Sequence, residues 1–160
     1  MDRTTVVLEQ FRDGGAEPPR DVVQALTVLI GDAMVSHAVA VYDFGKPTMG
    51  SVETVASWEC TGIAGDVLVR VSASRPGGEW FLDDFDSGSA APTVYGELVP
   101  LGEVAGCRLL SLQSYGDAEC LTRWQVQLRN GDSFQIPWPK DRLAQTRHEA
   151  LALEVATRIR

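Results

Sequence analysis

Lysine is almost missing from this chain: two residues in 160, against twelve arginines. With abundant alanine, glycine and valine, that bias hints at a GC-rich bacterial genome. Cysteine is sparse and odd in number, at Cys60, Cys107 and Cys120. That excludes a closed disulfide framework and fits a reducing cytoplasm in which the thiols are packing groups. No apolar run approaches the ~20 residues that span a bilayer. The first residues, Met1-Asp2-Arg3-Thr4-Thr5, lack the charged-then-apolar pattern of a secretory signal, so no membrane association is expected. Positive charge is absent altogether between Pro76 and Cys107, a stretch that holds Glu79, Asp83, Asp84, Asp86, Glu97 and Glu103.

The net charge of −8 is therefore uneven. Met1 to Cys107 carries 16 acidic and 6 basic residues, and Arg108 to Arg160 carries 6 acidic and 8 basic. An acidic body repels phosphate backbones, which argues against nucleic-acid binding. Catalytic signatures are missing too. No serine sits in a nucleophile elbow, no Cys-x-x-Cys pair occurs, and no His-Glu-x-x-His helix is present. Neither glycine-rich phosphate loop can be found. No cofactor is expected.

What is present is most legible from Leu121 to Arg160. Trp124, Val126 and Leu128 alternate with Leu121, Arg123, Gln125, Gln127 and Arg129, the period of a half-buried strand. Asn130-Gly131 reads as a type I′ turn. Ser133 to Trp138 returns with Phe134 and Ile136 on one face, until Pro137 and Pro139 stop the pairing. Asp141 can cap a closing helix. That helix shows one apolar line of Ala144, His148, Leu151, Val155 and Ile159, and a thinner one of Leu143, Ala150 and Leu153. Two lines suit a helix that lies on a sheet and is touched from another side, by the first helix or by a second copy of the chain.

Upstream, Thr4 to Phe11 fits either state: Thr4-Thr5-Val6-Val7 favours a strand, and Thr4, Val7, Leu8 and Phe11 have helical spacing. After Gly14-Gly15 and Pro18-Pro19, Asp21 reads as the cap of a helix that reaches about Val35. Its stripe is Val23, Leu26, Ile30, Met34 and His37, interrupted by Gly31. Strands are expected at Ala38–Phe44, Val52–Glu59 and Val67–Ser74, with a break at Thr61–Gly65. Pro76-Gly77-Gly78 turns into Trp80-Phe81-Leu82. Further strands cover Thr93–Leu98 and Val104–Leu112, with Gly116-Asp117 turning toward the last hairpin. This is a single α+β domain, residues 1–160: an N-terminal helix, an antiparallel meander of six or seven strands, and a long C-terminal helix on the sheet.

If Thr4 to Phe11 is a strand, the order of elements is similar to the helix-grip architecture of START-like domains, which implies an apolar cavity under the last helix. If seven strands follow the first helix, the order is similar to a pleckstrin-homology-like barrel capped by its last helix.

The densest group of oxygen ligands is Asp83-Asp84-Phe85-Asp86-Ser87-Gly88-Ser89. Asp84 and Asp86 alternate as a calcium loop requires, but Glu97 lies too far along to be its bidentate ligand, so no metal is assigned. Glu53 with Glu59, or Asp66 with Asp84, are candidate carboxylate pairs whose plain reading is charged strand ends. Four tryptophans, Trp58, Trp80, Trp124 and Trp138, lie on or beside strands, and one is expected to meet solvent or a ligand. Trp80, Trp124, Trp138 and His148 are the candidate pocket lining. His37 and His148 are read first as packing and second as bases.

These features point to a non-catalytic cytoplasmic binding or adaptor domain. It would recognise a protein partner through an acidic face of Asp83, Asp84, Asp86 and Glu97, in the manner of an immunity protein that neutralises a basic partner. One alternative is a small hydrophobic ligand held under the last helix, with His37 or His148 as base. Another is a metal-dependent hydrolase using the acidic loop. A homodimer through the C-terminal helix is compatible with each.

Overall fold

The computed structural model describes residues 2–45, 53–83, 90–115, 119–139 and 142–159. The N-terminal segment is a helix, α1 (Arg3–Gln10). Val7 and Phe11, four apart, are 2% and 0% exposed. Docking of that one face outweighs the strand preference of the β-branched run. The second helix, α2 (Arg20–Ile30), starts after Pro19 and carries Asp21 inside its first turn, not at its cap. There the carboxylate complements the helix dipole. Its end comes earlier than Val35, because Gly31 takes φ 58° and turns the chain away. Met34 is consequently 86% exposed, and His37 belongs to a strand and not to the helix stripe.

Among the described residues, seven antiparallel strands follow, in two sheets. β1 (Val35–Gly45), β2 (Val55–Ala64), β3 (Val67–Pro76) and β4 (Thr93–Pro100) form the first, in sequence order. The expected break at Thr61–Gly65 is not there. β2 continues to Ala64 because Thr61 to Ala64 are all buried, and Gly65-Asp66 makes the turn to Val67, with Gly65 at φ 61°. Glycine at the first central position of a two-residue turn is the II′ pattern. Trp80 to Leu82 add no strand, but Trp80 is 2% exposed and its carbonyl accepts the Trp58 indole N–H at 2.8 Å.

Both faces of this sheet are used. On one face, Ala38, Ala40, Trp58, Cys60, Val69 and Val71 pack with Val22, Val23 and Leu26 of α2 and with Phe11. On the other, Val39, Ile63, Leu68 and Val99 meet the second sheet and the last helix. A strand buried on both sides loses its polar alternation, which is why β2 resisted a period-two reading past Glu59.

A 3-10 turn, Leu101–Glu103, leads into β5 (Val104–Tyr115), β6 (Glu119–Leu128) and β7 (Ser133–Gln135), the second sheet. The β6–β7 connection is not a type I′ turn. Gly131 N donates to Leu128 O at 3.1 Å, Leu128 N donates to Asp132 O at 2.8 Å, and of the turn residues Gly131 alone has positive φ, 94°. This is the three-residue loop that ends in a left-handed glycine. Asn130 Oδ1 fastens it by accepting the Asp132 N–H at 2.9 Å.

The chain ends in α3 (Arg142–Arg158), whose expected cap, Asp141, lies outside the described residues. Its buried line runs through Gln145, His148, Leu151, Ala152 and Val155. The thinner apolar line fails at Leu153, which is 56% exposed; the side chains of Leu143 and Ala144 lie outside those described. Seven strands before a closing helix follow the second of the two element orders considered, with a second helix added at the front.

Candidate functional site

The second sheet covers the lower rows of the first sheet's outer face and leaves the upper rows open. Cross-strand register sets these rows. His37, Ile63, Leu68 and Val99 are neighbours in one, and Ile63, Leu68 and Val99 are buried. Val39, Thr61, Arg70 and Glu97 form the next, then Val41, Glu59, Ser72 and Tyr95, then Asp43, Ser57, Ser74 and Thr93. Glu59, Asp43, Tyr95 and Thr93 are exposed.

The polar groups on this open half are joined. Ser72 Oγ donates to Glu59 Oε2 at 2.5 Å. Tyr95 Oη donates to Glu97 Oε2 at 3.4 Å. Arg70 pairs with Glu97 Oε1, and its guanidinium lies 3.7 Å above the centroid of Phe134 in β7. Arg70 thus holds one carboxylate at the boundary between covered and open rows. A guanidinium stacked on a ring and bonded to a carboxylate is well fixed.

Of the expected acidic face, Asp83 and Glu97 are the described members, and they lie on opposite sides of the first sheet. Asp83 is exposed on the loop after Leu82, on the α1–α2 side, where Phe81 and Leu82 pack against the first core. Glu97 faces the opposite way, since its neighbour Gly96 is the residue that abuts Leu29 of α2. Asp84 and Asp86 lie outside the described residues. Glu59, weighed with Glu53 as a carboxylate pair, is instead bonded to Ser72. Asp66, weighed with Asp84, is a fully exposed side chain at the β2–β3 turn.

Three of the four candidate pocket residues do come together. His148 is wholly buried and its Nδ1 lies 2.7 Å from the carbonyl oxygen of Pro137. One turn earlier, Gln145 Nε2 donates to Pro139 O at 2.9 Å. The intervening Trp138 is half-buried, with the Arg123 guanidinium 3.8 Å from its ring centroid. Trp124 Nε1 donates to Thr122 Oγ1 at 3.2 Å, and Thr122 Oγ1 donates to Glu149 Oε1 at 3.1 Å. Trp80 lies across the sheet in the other core. Burial lowers the His148 pKa, and the Pro137 and Thr122 carbonyls and the Glu149 carboxylate push it partly back. Trp138 Nε1 and Gln145 Oε1 are buried without hydrogen-bond partners.

His37 lies half-buried on β1, its Nδ1 3.2 Å from Ser36 Oγ. Among the described residues, no three of His, Cys, Asp and Glu are grouped to hold a metal ion. The three described cavities, of about 450, 360 and 510 Å³, are each lined by residues away from the His148 cluster. No helix among the described residues is long and apolar enough to cross a membrane.

Sequence patterns do not single out Arg70, Asp43 or Tyr95 as site residues, and they offer Glu59 only as a carboxylate pair with Glu53. The polar side of the β3 alternation, Arg70, Ser72 and Ser74, was the available signal. Its extension across the sheet needed the pairing register. No protein-family model matches this chain, and neither the curated proteins nor the solved structures yield a match to it.

Proposed function

We propose that this chain is a non-catalytic cytoplasmic binding domain that recognises a basic protein partner through carboxylates on the open half of its four-stranded sheet. One observation carries the reading: Asp43 and Glu59 are exposed and Glu97 is half-buried on three adjacent rows of one sheet face, interleaved with hydroxyls. A partner meeting that surface gains oriented acceptors without ordering a loop. Carboxylates at such a rim speed association and confer salt dependence more than they add affinity. An adaptor, or an immunity protein that masks a basic toxin, works in this way.

The test is capture of partners from the native host by the intact chain and by the Asp43→Asn, Glu59→Gln, Glu97→Gln triple variant. An Asp83→Asn, Asp84→Asn, Asp86→Asn variant serves as the separate loop control. Retention of the same partners by the sheet variant sinks the reading; loss with the loop variant alone moves the acidic face to the loop.

A second reading has its own support. The two buried polar atoms without partners at Gln145 and Trp138, beside the buried His148, favour a small molecule bound at the base of α3. Native mass spectrometry of protein from its own host distinguishes the two, since only the second gives a bound mass below about 1 kDa.

A further inference from the structure

We infer that the outer edge of β4 accepts an extended basic segment of another protein as a fifth strand of the first sheet. The inference rests on the acidic-face reading and adds how the partner is engaged.

Two sheets leave four edge strands, and three of them are blunted among the described residues. β1 has a register irregularity between Val35 and His37 and is overlain by α3. β7 is three residues long. β5 carries irregularities at Val104/Gly106 and at Leu109/Ser111, and it displays Arg108. Bulges, short strands, covering elements and cations are the devices that keep edges from pairing. β4 has no bulge, cation or shortening, and the helix packed on it, α2, meets its face at Gly96. Eight residues pair with β3 without a register shift, and the one proline, Pro100, is its last residue.

The side chains along β4 say what kind of strand fits. Val94, Gly96 and Leu98 share the α2 side, where Leu29 packs against Gly96 and Val28 is 75% exposed. Val94 and Leu98 are 36% and 47% exposed. Tyr95 and Glu97 share the open outer face. A neighbouring strand alternates between these two sides with a period of two. Its apolar residues would meet Val94 and Leu98, and its Lys or Arg residues would meet Glu97 and Tyr95. Strand addition of this kind takes affinity from the main chain and specificity from alternate side chains. A second copy of β4 is the poorer occupant. No basic residue lies between Pro76 and Cys107, so two such edges would oppose carboxylates with no cation between them.

The test uses the full chain and a fluorescent nine-residue peptide of alternating Lys and Val, read by fluorescence anisotropy. Three comparisons accompany it: the same peptide N-methylated at alternate residues, a Glu/Val peptide, and a Val94→Lys, Leu98→Lys protein whose exposed substitutions leave the fold intact by circular dichroism. Binding of the Lys/Val peptide that weakens at least about tenfold on N-methylation and in the double variant is the expected result, since several backbone hydrogen bonds are lost together. Equal binding of the N-methylated peptide, weakened by Glu97→Gln and Glu59→Gln, overturns strand addition and leaves the acidic face standing. No binding of the Lys/Val peptide, or equal binding of the Glu/Val one, overturns the inference. Self-association abolished by the double variant does so as well, because the occupant is then another copy of the chain.

Discussion

Phe11 lies so close to Gly62 that a methyl group on that glycine would stand 2.8 Å from the phenyl ring. The ring closes the end of α1 over β2, and the missing side chain is what lets it in. The His37 carbonyl on the neighbouring strand would be 3.1 Å from the same methyl, so backbone blocks escape on the other side. Gly62→Ala is therefore expected to destabilise the fold by about 1–3 kcal/mol, the usual cost of overfilling a packed site. Urea unfolding checks it, and an unchanged midpoint refutes the contact. Phe11→Ala should cost about 3–5 kcal/mol at the same site.

His148 predicts a pH dependence with a definite sign. Its pKa is held below 6.5 in the folded chain, chiefly by burial. The unfolded state thus binds the proton first as pH falls, and the stability that is complete above about pH 6.5 declines below it. Urea midpoints at pH 7.5 and 5.5 should differ for the wild type. In His148→Gln that part of the difference should vanish, although the variant is weaker at both values. An undiminished difference in the variant would assign the acid sensitivity to other groups.

Cys60 should be silent toward thiol reagents in the native state. Burial first, and then the carboxylates of Glu59 and Asp13, push its pKa up, leaving almost no thiolate. Cys107 is half-buried and its pKa is raised by burial alone. Maleimide labelling followed site by site by mass spectrometry should modify Cys107 well before Cys60. Labelling of Cys60 should keep pace with global unfolding.

The β6–β7 loop offers a backbone test. Gly131 sits at φ 94°, a conformation that side-chain-bearing residues rarely adopt. Gly131→Ala is expected to cost at least about 1 kcal/mol in thermal or urea denaturation, through strain at an exposed position with nothing else to disturb.

Much of the framework could be read from residue patterns, and the failures share a cause. β3 and β6 each have one solvated side, and their alternation located them to within about two residues, ordinary for such boundaries. β2 past Glu59 is enclosed on both sides, so its alternation disappears just where it matters. The helix stripe was extended to Met34 and His37 because spacing alone does not register that Gly31 reverses the chain. For the site the deficit was greater. Glu59, Ser72 and Tyr95 are neighbours only through pairing across three strands, 36 residues apart in the chain at the extremes. Carboxylates clustered in the chain are more conspicuous, and of these Asp83 is exposed beside Gly15, Ala16 and Glu17 in the connection between the helices.

Consecutive residues Ala38, Val39 and Ala40 are dealt alternately to the two cores. One strand is thus a shared wall, and anything that loosens the packing on one side is felt through it on the other. The three-stranded back has no interior of its own, since Val39, Ile63, Leu68 and Val99 of the first sheet complete its core, so it should not outlast the unfolding of that sheet. A protease nick at the exposed Gly102 corner would part the back half from the four side chains that complete its interior.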